Sequence, residues 1–250
     1  MKTLTVEKMS AVPQAGAARR RREHLFYTGM ALVIVATVFA GFARTYYLRP
    51  YFDTQPLIPL LHLHGIIFTS WVALFLVQTL LVASNRTRIH RRLGVVGGVL
   101  SVLMIVVGVY TALVRAKQGA APVGDVSPLA FLTIPFGDLL VFGSLVGAGL
   151  YFRRRLDVHK RLMLLAMIAI LPAAVARLPL AIMQAGPPAF FGLTDIFIVA
   201  CVVYDFIARG RPHRATLWGG LLIIASQPLR LMIGGTHAWI TFADWMTRLV

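Results

Sequence analysis

The sequence predicts an all-α fold, a polytopic membrane bundle of seven transmembrane helices, and three observations predict it. Seven apolar stretches, at about 26–43, 57–83, 94–114, 129–151, 162–184, 190–208 and 216–234, each approach the ~20 residues a helix needs to cross a bilayer. Hydrophobic residues make up 58% of the 250, with a mean hydropathy of +0.76, so no separate soluble domain fits beside the spans. Lys and Arg gather at alternate gaps, 18 on one side and 5 on the other, with two more Arg inside spans. The positive-inside rule then places the N-terminus in the cytoplasm and the C-terminus outside.

Taken in order, residues 1–25 are Ala-rich, polar and basic, ending in Arg19 to Arg22, and read as a disordered cytoplasmic tail. The first apolar run is longer than an ordinary signal-peptide core, which favours an uncleaved helix. Residues 26–234 form the seven-helix domain, and 235–250 a short outer C-terminal segment. The formal charge of +16 sits in short loops at helix ends, where it sets topology and meets anionic lipid headgroups. No recognition motif or aromatic-basic platform accompanies it, which argues against nucleic acid. The single Cys201 lies within span six, so an internal disulfide and covalent haem attachment through paired cysteines are excluded.

Three cytoplasmic gaps end alike: Ile89-His90-Arg91-Arg92-Leu93-Gly94, Val158-His159-Lys160-Arg161-Leu162-Met163 and Pro212-His213-Arg214-Ala215-Thr216-Leu217. Each puts His before a basic residue at the mouth of spans three, five and seven, which predicts one helix followed by three repeated hairpins. His90, His159 and His213 are therefore at equivalent depth. They anchor helices at the headgroup layer, or they converge with Asp157 or Asp205 on a metal or proton site.

A second polar cluster is expected in the outer half of the membrane. Counting 1.5 Å per residue from the outer helix ends places His64, Asp138, Arg177, Asp195, Gln227 and Arg230 in one slab. Each charge facing lipid costs on the order of 3 kcal/mol, so these groups should turn inward and satisfy one another. One arrangement is a pair of ion pairs within hairpins, Asp138 with Arg177 and Asp195 with Arg230; the other is a ligand pocket open to the outside. His62 and His64 are ~200° apart around their helix and cannot share a face. His64 shares its face with Trp71 and Gln78 at intervals of seven, beside Phe68 and Phe75, which makes it the inward residue. Pro135, Pro172, Pro179 and Pro228 flank the charged positions and predict kinks that widen the bundle there.

His64-Gly65, Gln78, the H-R-R-L-G turn at His90 and the H-K-R-L-M turn at His159 resemble a group of bacterial inner-membrane proteins of uncharacterised activity. The resemblance extends over spans two to seven, including Asp195, Asp205 and Ser226-Gln227-Pro228-Leu229-Arg230, and implies a multi-pass protein of the bacterial inner (plasma) membrane. A looser similarity links the chain to transmembrane b-type cytochromes, which hold haem between histidines of neighbouring helices. The chain departs from that pattern, because no two His lie deep in facing spans at matching depth.

Three functions compete. In the first, an outer pocket holds haem b, a quinone or a similar flat small-molecule ligand. His64 then serves as ligand or donor, Arg177 and Arg230 as a clamp, Asp138 or Asp195 as proton handlers, and Trp71 with Phe68 and Phe75 as the apolar wall. Gln78 and Gln227 add polar contacts. The second is a small-solute transporter or exporter, suggested by repeated hairpins, Pro-broken helices and intramembrane charges. The third is a zinc metallohydrolase, which needs several His and an acid around the metal.

Overall fold

The computed structural model describes residues 3–52, 56–120 and 126–250, and among these every regular element is helical. Helix α1 runs Thr3–Phe42, α2 Pro59–Ala83, α3 Thr87–Lys117, α4 Pro128–Phe131 and α5 Thr133–Tyr151. After these come α6 Leu156–Ala169, α7 Pro172–Val175, α8 Pro187–Arg209, α9 Arg214–Gly234 and α10 His237–Thr247. Seven of the helical segments are long and apolar enough to cross a membrane, and the chain is a multi-pass membrane protein.

The helix boundaries follow local chemistry. Pro59, Pro128, Pro172 and Pro187 each stand in the first turn of a helix, where the missing N–H is no loss. Gly210 closes α8 in the left-handed region, at φ 71°. The Oγ of Thr236 accepts from the Trp239 N–H and opens α10.

The bundle is inverted relative to a water-soluble one. On α3, Val95, Val99, Val102 and Val106 form a stripe at helical spacing that is 59 to 70% exposed. Such a stripe belongs in hydrocarbon, since soluble proteins seldom expose contiguous apolar surface of that size. The centre is α5 packed on α6, whose Ala166, Ile168 and Ala169 are almost wholly buried.

Two expectations are corrected. The tail over 1–25 is helical from Thr3 rather than disordered, residues 1 and 2 lying outside the described residues. Its Ala, Glu and Arg content accounts for this, those residues being strong helix formers. Span five is not one continuous helix over 162–184. It stops at Ala169, resumes for one turn at Pro172–Val175 and becomes a 3₁₀ turn at Ala181–Ala185. Pro172 and Pro179 cannot donate to the helical ladder, and each lies at a break.

Helix α1 meets the broken segment at Gly41. A Cβ there would stand 2.1 Å from the Ala174 carbonyl oxygen, a backbone atom with no rotamer by which to retreat. Gly41→Ala is therefore expected to force α1 and α7 apart at a cost of about 1–3 kcal/mol. Gly29→Ala, with nothing within 4 Å, is the matched control. Thermal unfolding of the two purified variants in detergent checks this, and equal midpoints would refute the close approach.

Candidate functional site: an intramembrane cavity

At the end of the bundle away from the Arg-rich turns, the helices diverge around a cavity of about 680 Å³. That volume suits a drug-sized ligand. The interrupted helix after Ala169 lies along it, with the turn at Ile170 and Leu171 and the first residues of α7, Pro172 to Ala174, on the lining. Phe68, Val72 and Met167 lie at its deeper level, and Phe42, Phe131 and Phe190 add flat apolar surface.

The last residues of α1 shape one wall. Ala43–Tyr47 form a π-helical turn, closed by the Leu48 N–H donating to Ala43 at 2.7 Å. One extra residue per turn re-aims the side chains, as π-turns do at ligand sites. The Tyr46 ring consequently lies against α2, where a Cβ on Gly65 would be 2.4 Å from it. The Tyr47 hydroxyl bonds Thr69 at 2.8 Å.

Among the described residues, the charged lining holds Arg49, Arg115 and Arg177 against one carboxylate, Asp138. Arg177, two residues beyond α7, is an exposed side chain on the cavity lining. One of its guanidinium nitrogens donates to the Ala173 carbonyl at 2.5 Å, and the group stacks over Phe42, 4.9 Å from the ring centre. Among the described residues no carboxylate pairs with it, and its nearest charged influence is Arg115, another cation of the lining. Arg115 donates to the Gln118 side chain at 3.1 Å. His64 stacks on Phe68 with ring centroids 4.0 Å apart, and its Nδ1 is buried without a partner among the described residues. The Thr111 hydroxyl, also on the lining, is in the same condition. Two unmet polar atoms and two close cations face one apolar chamber, an arrangement that favours a ligand with an anionic or strongly polar edge.

The expected ion pairs are corrected. Asp138 pairs with Arg230, not with Arg177. Arg230 also donates to Ser226 at 2.8 Å. The cause is local: Gly137, next to Asp138, has no side chain, and a Cβ there would sit 2.2 Å from the Arg230 Nε. Asp195 takes Gln227 instead of Arg230, at 2.7 Å. The swap leaves Arg177 to the cavity.

Of the eight residues expected to bind a ligand, His64, Asp138 and Arg177 line the cavity. Asp195, Gln227 and Arg230 satisfy one another or Asp138 outside that lining. Trp71 and Gln78 share the His64 face but lie deeper; Trp71 packs edge-on against Phe142 at 5.1 Å. Arg115, Thr111, Tyr46 and Tyr47 were not anticipated. Thr111 sits on α3 four residues before Arg115, a one-turn spacing that was legible but had no functional signal attached.

At the basic end, the three histidines divide. The rings of His90 and His159 meet at 6.3 Å, near perpendicular. His213 goes elsewhere: its Nδ1 accepts from the Ala215 N–H at 3.0 Å and caps α9. Burial, then the Arg161 and Arg209 charges, hold the His213 imidazole below its ordinary pKa, which keeps the accepting nitrogen unprotonated. Among the described residues no group of three or more His, Cys, Asp or Glu lies close enough to hold a metal ion. Asp205, expected beside these histidines, is instead bound to Arg161, Thr216 and the His213 backbone.

No family model, curated protein or solved structure matches this chain.

Proposed function

We propose that this protein lies in a bacterial inner membrane with its basic end in the cytoplasm and that its outer cavity binds a flat, amphipathic redox ligand of the quinone class. Arg177 carries the reading. A guanidinium just beyond the span that ends at Val175, held by one carbonyl and one aromatic face, offers donors to a ligand oxygen, and such charge-assisted bonds are the strong ones. Phe42, Phe68 and Phe131 offer the apolar surface that a planar ring system needs, and His64 a second polar contact. Haem b is the weaker form of this proposal, since His64 is the one imidazole on the described lining and a second axial ligand would have to come from elsewhere.

The test uses a hydroxynaphthoquinone, which is flat and anionic at neutral pH. Quenching of tryptophan fluorescence in detergent-purified protein is expected to saturate. His64→Ala should weaken binding about tenfold while leaving thermal unfolding unchanged, the scale of one lost polar contact to an ionised group. Absence of saturable binding to the wild type would sink the quinone reading, and a Soret band in the purified protein would transfer it to haem.

Small-solute transport is the second reading, and one observation favours it. The breaks on either side of the one-turn helix Pro172–Val175 place an interrupted helix against the cavity, and many transporters build a substrate site at broken helices within the membrane. Uptake of the same anion into vesicles, rather than binding alone, would select this reading.

A further inference from the structure

Four buried polar atoms without a partner among the described residues fall along one line through the bundle: His64 Nδ1, Trp71 Nε1, Gln78 Oε1 and His90 Nδ1. The first three belong to α2 at intervals of seven, which puts them within about 20° of one face and about 10.5 Å apart along the axis. Helix α3 opens space opposite them. A Cβ on Gly94 would be 4.0 Å from the Gln78 amide nitrogen, and one on Gly97 would meet the Leu74 side chain at 3.4 Å and the Trp71 ring at 4.0 Å. His90 lies one turn from Gly94 and faces the Gln78 backbone. Its ring then meets His159 of α6 at 6.3 Å. His159 Nδ1 is 2.8 Å from the Gly149 carbonyl, so that nitrogen carries the proton and Nε2 is the open lone pair.

Packing alone calls for leucine at such positions. Buried polar atoms that protein does not satisfy are satisfied by water, and the missing side chain of Gly94 leaves room for it beside Gln78. The line begins at an imidazole pair on the basic end and ends at an imidazole on the cavity, and chains of this kind in membranes carry protons. We propose that the His90–His159 pair, Gln78, Trp71 and His64 form a water-linked proton path between the basic end and the cavity. A proton adds to an open ring nitrogen of the histidine pair. Along the waters, each O–H bond broken is matched by one formed, and His64 releases a proton into the cavity. Gln78 holds water by its carbonyl. Trp71 anchors water without carrying the proton, because an indole N–H only donates. The charged groups facing the two ends are Arg91 beside His90 and Arg177 beside His64.

This path rests on the proposed cavity only at its outer exit, and the experiment separates the two. Protein reconstituted into vesicles with entrapped pyranine, under a potassium diffusion potential, is expected to pass protons at least about tenfold faster than empty vesicles. Gln78→Leu and His90→Ala should each remove about tenfold of that flux while hydroxynaphthoquinone binding stays at the wild-type level. Where Gln78→Leu does not fold, His90→Ala alone decides. Wild-type flux equal to that of empty vesicles, or wild-type flux in both variants, overturns the path whatever the cavity binds. Failure of quinone binding with intact, Gln78-dependent flux overturns the ligand and keeps the path.

Discussion

Asp205→Ala is expected to destabilise the protein by about 3 kcal/mol, the largest effect of any single substitution considered, because it takes from a buried guanidinium its closest counter-ion. Asp205 is 1% exposed on α8 and accepts from the Arg161 Nε of α6 at 3.0 Å, the Thr216 hydroxyl of α9 at 2.5 Å and the His213 N–H at 3.1 Å. One carboxylate thus ties three helices at the basic end. Without it, Arg161, only 5% exposed, keeps its charge and loses its closest counter-ion, leaving Asp157 at 3.8 Å, and two neighbouring donors lose their acceptor. Thermal unfolding in detergent reads the loss. The double variant Asp205→Leu with Arg161→Met should recover much of it, since replacing a buried ion pair by apolar residues is often neutral. If Asp205→Ala unfolds at the wild-type temperature, the network is not what holds this end together.

The fold was legible because a bilayer turns architecture into hydropathy and length, both of which are local properties of sequence. The site was legible in depth but not in partnership. Counting residues from helix ends put Asp138, Arg177, Asp195, Gln227 and Arg230 into one layer, yet rotation about each axis decides who meets whom. Gly137 admits Arg230 to Asp138, and nothing in the spacing of Arg230 announces that. The break at Pro172 moved Arg177 beyond its helix, where a continuous span would have kept it beside α5. Trp71 and Gln78 were placed on the correct face of α2 and at too shallow a role, since the cavity reaches Phe68 and Val72 but not the next turns. Arg115 was counted as a charge that sets topology; its place on the cavity depends on how α3 packs, which composition does not encode. His90 and His159 matched in depth and did meet, whereas His213 found a nearer partner in its own helix terminus.

Arg177→Met should leave folding intact and remove ligand binding, and this contrast separates a binding cation from a structural one. Elsewhere in the bundle a buried Arg is balanced by a carboxylate, as Arg161 is by Asp205 and Arg230 by Asp138. Removing either of those cations leaves a buried anion behind. Removing Arg177 leaves none among the described residues; it forfeits a bond to the Ala173 carbonyl and a stack on Phe42, both made by an exposed side chain. Thermal stability is therefore expected to move by no more than about 1 kcal/mol, because contacts made by an exposed charged side chain contribute little. Hydroxynaphthoquinone binding loses a charge-assisted contact of about 1.5–3 kcal/mol, so the dissociation constant should rise roughly ten- to a hundredfold. Arg177→Lys should fall between, since an ammonium keeps the charge but not the planar fork that engages two oxygens at once. Fluorescence titration and thermal unfolding on the same three preparations check both halves. A stable Arg177→Met protein that binds as tightly as wild type would show that the ligand does not touch this cation, and an unfolded one that Arg177 is part of the scaffold.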